Sequence, residues 1–147
     1  MARLLLLIAL VLLAGCAPGY PIGPLPVVPD PGRAATVIFV RPSHFAGAGA
    51  TITLTIDGVE TYELGTGEHV AVPVSAGERI VGLKTWSPNI RFSRIYPTQT
   101  IQAEPSRTYY FRVEPDGRID RATEAEGREL VAKTKPVASD ATGPCTP

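Results

Sequence analysis

A chain of 147 residues with 14 Lys and Arg against 14 Asp and Glu has the length of one domain, and its even charge, without a basic cluster, excludes a nucleic-acid-binding stripe. Fifteen prolines and 14 glycines, with Val, Ile and Thr frequent after residue 16, favour short strands joined by turns. Two cysteines, Cys16 and Cys145, are too few for a disulfide framework.

At the amino terminus one positive charge, Arg3, precedes ten consecutive apolar residues, 4–13. A ten-residue helix spans only about 15 Å, half of the roughly 30 Å of a bilayer's hydrocarbon. Residues 1–15 therefore read as a signal peptide and not as a membrane span. Leu13-Ala14-Gly15-Cys16 closes the run and resembles the lipobox of bacterial lipoproteins. That resemblance implies diacylglycerol on the Cys16 thiol, cleavage before it and acylation of the new amino terminus. Ala17 in place of an aspartate resembles outer-membrane sorting in a Gram-negative host, with the domain on the periplasmic face. With Cys16 lipidated, Cys145 has no intramolecular partner, which leaves a solvated bystander or a thiol that pairs between chains.

Residues 17–32 hold six prolines, which no helix or central strand tolerates. At about 3.1 Å per residue of polyproline II, residues 16–33 are expected to be a semi-rigid tether reaching roughly 50 Å from the lipid; a ligand for an SH3-like groove is the rival reading.

The domain is expected over 34–135. Residues 35–41 form a dense β-branched and aromatic run ended by Pro42, as in a buried strand. In 51–56 Ile52, Leu54 and Ile56 alternate with three threonines, the pattern of a half-buried strand. Asp57-Gly58 then marks a hairpin. A type I′ turn pairing Ile56 with Val59 would turn Thr61 and Glu63 to the apolar face. A type I turn with Gly58 in a bulge pairs Thr55 with Val59 and sets Tyr62 opposite Ile52 and Leu64 opposite Ala50, so the bulged turn is expected. Further strands are predicted at 69–74, where Pro73 suits a sheet edge, at 79–86, 98–103 and 108–113. Thr123 and Glu126 have the capping-box spacing, and Glu124 with Arg128 and Glu129 with Lys133 are i,i+4 pairs. A helix over 124–133 is predicted to dock Leu130 and Val131, despite Gly127, which costs about 1 kcal/mol relative to alanine. Residues 136–147 are expected to be a disordered tail.

Together these elements predict an all-β fold, a small single-domain antiparallel β-sandwich of about seven strands with a short C-terminal helix. The segments Val37-Ile38-Phe39-Val40-Arg41-Pro42-Ser43, Ile56-Asp57-Gly58, Val74-Ser75-Ala76-Gly77-Glu78, Thr108-Tyr109-Tyr110-Phe111 and Glu124-Ala125-Glu126-Gly127-Arg128-Glu129-Leu130 resemble an uncharacterised family of small bacterial lipoproteins with a domain of unknown function. The Asp-Gly turn and residues 72–77 are also similar to PEGA-type surface β-domains. The resemblance spans about residues 35 to 135, implies a lipid-anchored sandwich and carries over no catalytic residue.

No metal or cofactor is expected, since His44 and His69 stand 25 positions apart with no second pair beside them. No serine is flanked by nucleophile-elbow glycines, and Asp116 and Asp120 lack an EF-hand order for calcium. Residues 86–96 interleave Trp86, Arg91, Arg94 and Tyr96, a composition suited to sugars, acidic polymers or a protein partner, or else a core Trp86 with solvated arginines. The expected function is a non-enzymatic, lipid-anchored envelope protein presenting the sandwich as a structural or interaction module. The alternative is a module that binds an envelope polysaccharide or other anionic polymer.

Overall fold

A computed structural model describes residues 18–44, 49–84 and 97–138. Among them lie ten strands: β1 (Tyr20–Pro21), β2 (Ala35–Arg41), β3 (Ile52–Ile56), β4 (Val59–Leu64), β5 (Glu68–Val74), β6 (Gly77–Lys84), β7 (Thr98–Ala103), β8 (Thr108–Val113), β9 (Ile119–Ala122) and β10 (Lys135–Pro136). One helix, α1 (Glu124–Ala132), follows β9. The strands make two five-stranded sheets, ordered β1-β4-β3-β6-β7 and β10-β5-β2-β8-β9. This is the all-β, two-sheet fold with one short helix that the alternating patterns predict. The first sheet is antiparallel throughout. In the second, β2 with β8 and β10 with β5 are parallel pairs, a departure from the wholly antiparallel expectation.

The period-2 patterns point one face of each strand inward. Ala35, Val37 and Phe39 from β2, Ile52, Leu54 and Ile56 from β3, and Val70, Val72 and Val74 from β5 share one core. Phe39 and Phe111 stack tilted at its centre, with ring centroids 5.9 Å apart. At Pro73 strand β5 is an outer edge, because β10 pairs only with Glu68 and His69, so the missing amide proton costs no ladder bond there.

The β3–β4 hairpin solves its register differently from the expected bulged turn. Ile56 pairs with Val59, and Asp57 and Gly58 have φ of 51° and 79°, the type I′ conformation. The bulge comes later, at Thr61, between the pairs Thr55↔Glu60 and Leu54↔Tyr62. That extra residue restores the phase, so Tyr62 and Leu64 still face the apolar side, opposite Leu54 and Ile52.

The stretch expected to stand off as a tether lies against the sandwich. Gly19 donates its amide to Glu68 Oε2 at 2.8 Å, β1 pairs with β4, and the amides of Ile22 and Gly23 reach Thr61 O at 3.0 and 3.4 Å. Farther on, Ser75 Oγ donates to Val27 O. Prolines exclude a central strand, but an edge strand needs donors on one side only, and here Ile22 and Gly23 supply them to β4. The prolines also leave less chain entropy to lose on docking. At the other end, order extends past the expected boundary: β10 joins the second sheet and the Val137 amide bonds His69 O.

Helix α1 starts at the predicted capping box, with Thr123 and Glu126 exchanging bonds, and both i,i+4 ion pairs form. Its docking point is Gly127, the one fully buried residue of the helix, while Leu130 and Val131 are half-buried.

Candidate functional site

The predicted site residues Cys16, Trp86, Arg91, Arg94 and Tyr96 lie outside the described residues, as do the signal peptide, Cys145 and residues 85–86 of the strand expected at 79–86. The flanks of 85–96 are described. Lys84 pairs with Thr53, beside Ile52↔Leu64, so β6 leaves the sandwich at the end where Arg41 and Glu68 sit.

That end is a buried polar clasp that the sequence reading did not single out. Arg41 ends β2 on the same parity as Ala35, Val37 and Phe39, and is 4 % exposed. Its Nη1 donates to Ala50 O at 2.6 Å and to Leu64 O at 3.0 Å. Burial pushes the guanidinium below its ordinary range and the Glu68 carboxylate partly offsets this. Glu68 Oε2 accepts both Gly19 N and Gly65 N at 2.8 Å. Gly19 itself fits because a Cβ there would come within 2.5 Å of Glu63 O and Glu68 Oε2. The same Cβ would come within 3.0 Å of Val137 Cγ2, so Gly19 and Val137 lie side by side at the clasp. The parity of Arg41 was the only local signal for this clasp.

From the clasp the strap of residues 18–33 runs down β4 and across the opposite mouth of the sandwich. There Leu25 and Val27 roof a cavity of about 290 Å³ whose floor includes Ile56 and Val59. Asp57 closes the rim through bonds to Arg79 Nη1 and Ile80 N, both 2.8 Å.

A second concavity, of about 380 Å³, lies between β8, β9 and the start of α1, lined by Arg107, Tyr109 and Arg121 among others. The Arg121 guanidinium sits 5.1 Å from the Tyr109 ring centroid, a cation–π distance. The Tyr109 hydroxyl donates to Gln102 O and accepts from Glu104 N, which fixes the ring.

Of the histidines, His69 Nδ1 lies 2.9 Å from Thr134 Oγ1 and burial lowers its pKa, while the His44 amide bonds Thr66. Asp116 and Asp120 both face Arg118, which holds the Asp116 carboxyl below its ordinary range. Among the described residues no three His, Cys, Asp or Glu side chains gather around a metal-sized gap.

The chain matches no family model and no curated protein.

Proposed function

We propose that this protein is a lipoprotein of the bacterial envelope, held by acyl chains on Cys16 at the periplasmic face of the outer membrane, whose sandwich acts as a non-enzymatic structural or interaction module. The resemblance to small envelope lipoproteins belongs to the same reading. The observation that carries it is the short apolar run ending in Leu13-Ala14-Gly15-Cys16, a signal too short to span a bilayer. The strap is consistent with it: Gly19, three residues after Cys16 in the sequence, is bonded to Glu68, so a modified Cys16 stays near a fixed edge of the domain. Mass spectrometry of the protein purified from membranes should find residue 16 as the first residue, with the added mass of diacylglycerol and an amide-linked acyl chain. Two or more chains anchor firmly, so Cys16→Ser should leave an uncut precursor or free protein. An unmodified Cys16 in the mature protein overturns the reading.

A second reading, binding of an anionic envelope polymer, is favoured by the Arg121–Tyr109 pair in an open cleft beside Arg107. Its test is titration with a polyanionic glycan, in which Arg107→Ala with Arg121→Ala should weaken binding by about 1–3 kcal/mol; unchanged binding rejects this cleft.

A further inference from the structure

Among the described residues six large hydrophobic side chains are exposed: Tyr20 at 40 %, Ile22 at 38 %, Leu25 at 45 %, Val27 at 84 %, Val59 at 46 % and Ile80 at 42 %. Most are not scattered. Four belong to the strap and Val59 lines the cavity beneath it; Ile80, whose carbonyl accepts the Asp57 amide and whose amide donates to the Asp57 carboxylate, stands on the outer face of β6 opposite Thr100. The sandwich thus has one apolar edge, running from the clasp to the mouth under Leu25 and Val27.

The length of chain ahead of this edge decides what covers it. Three residues separate Cys16 from Tyr20, and four extended steps span at most about 14 Å. The strap cannot swing out to lengthen that reach, because Gly19 is bonded to Glu68 and the Ile22 amide to Thr61 O. An anchor at Cys16 therefore brings Tyr20 to the depth of the lipid headgroups, where an amphipathic ring settles well. We propose, resting on the anchor reading above, that the strap is a membrane-contacting edge: Tyr20, Ile22, Leu25 and Val27 lie in the interface of the bilayer that holds the acyl chains, and the sandwich rests on its β1 side. Residues 17–32 contain no Lys or Arg and one acid, Asp30, so the contact is apolar and indifferent to lipid charge, unlike a basic surface helix.

The test uses the acylated full-length protein in vesicles of phosphatidylethanolamine and phosphatidylcholine. A bimane label is placed at Val27→Cys, or at Thr100→Cys on the far edge strand β7, each in a Cys145→Ser background, and quenched by nitroxide carried on lipid acyl chains. Both side chains are exposed, so labelling leaves the core intact. Quenching at position 27 should exceed that at position 100 severalfold and should not change when anionic lipid or 0.5 M salt is added. Equal quenching at both sites overturns the proposal, as does an unquenched label at 27. A label at 27 that becomes shielded only as protein concentration rises also overturns it, in favour of a second copy on this edge. The protein's mass, read before reconstitution, separates the failures: unacylated protein sinks the anchor and this inference with it, whereas acylated protein with an unquenched strap sinks this inference alone.

Discussion

Gly127 lies mid-helix, where alanine is ordinarily favoured by about 1 kcal/mol. Here the ranking should reverse. A Cβ at this position would sit 2.1 Å from Tyr110 Cγ and 2.5 Å from Tyr110 Cβ, and the latter atom is fixed to the backbone of β8, so the ring cannot swing clear. Overpacking of this kind costs about 1–3 kcal/mol. Gly127→Ala should therefore lower the urea midpoint, and an alanine variant as stable as the parent would show that the helix shifts on the sheet freely. Glu68 illustrates another single-residue dependence. One carboxylate oxygen takes two backbone amides from segments far apart in sequence while its charge faces the buried Arg41. Glu68→Ala leaves two donors unpaired and removes the compensating charge, for an expected loss of about 2–4 kcal/mol. Glu68→Gln, which keeps an acceptor, should recover part of it in the same denaturation measurement.

The bulge in β4 serves two neighbours. It restores the inward phase of Tyr62 and Leu64 after the type I′ turn, and Thr61 O receives the strap amides of Ile22 and Gly23. Removing Thr61 lets Tyr62 follow Glu60 directly in the ladder, with Leu54 still opposite Tyr62. The deletion should therefore keep a β-type circular dichroism spectrum but speed amide hydrogen exchange at Ile22 and Gly23 by tenfold or more. Unchanged exchange at those amides would show that the strap is held elsewhere. Seven of the strands, β2 to β8, were legible from apolar runs, alternation and the hairpin signal, and α1 from its capping box, because those signals are local. The turn type was not, since Asp57 is held by Arg79 and Ile80 on a strand that follows it by about twenty residues. The parallel β2–β8 pair and the two-residue strands β1 and β10 were hidden for the same reason: nothing in their own residues names a partner. Arg41 and Glu68 read as ordinary charges at strand ends until the fold brought them together. The resemblance that suggested an envelope lipoprotein bore on location and fold, not on this clasp.

At the scale of the whole molecule, side chains bridge the two open sides of the sandwich. Glu68 links the β1 and β10 side, and Gln99 Nε2 donates to Ile119 O at 2.6 Å across the β7 and β9 side. The strap roofs the mouth between them, so it is part of the folded unit and not a spacer in front of it. A chain beginning at residue 34 should still fold, but without the bonds from Gly19 to Glu68, from Ile22 to Thr61 and from Ser75 to Val27, and with Ile56 less covered. At about 1 kcal/mol for each lost bond, and about 4–8 °C per kcal/mol for a domain of this size, its melting temperature should lie at least about 10 °C below that of residues 18–138. Equal melting temperatures would mean that the strap adds nothing to stability. The clasp that seats Gly19 beside Val137 also governs how the protein bears mechanical load. A pull between Gly19 and Val137 meets first the two-residue strands β1 and β10, and the eight longer strands carry tension only once those have peeled away. A pull between Gly19 and the β7 edge crosses every ladder of the first sheet, so the same fold is compliant along one axis and stiff along the other.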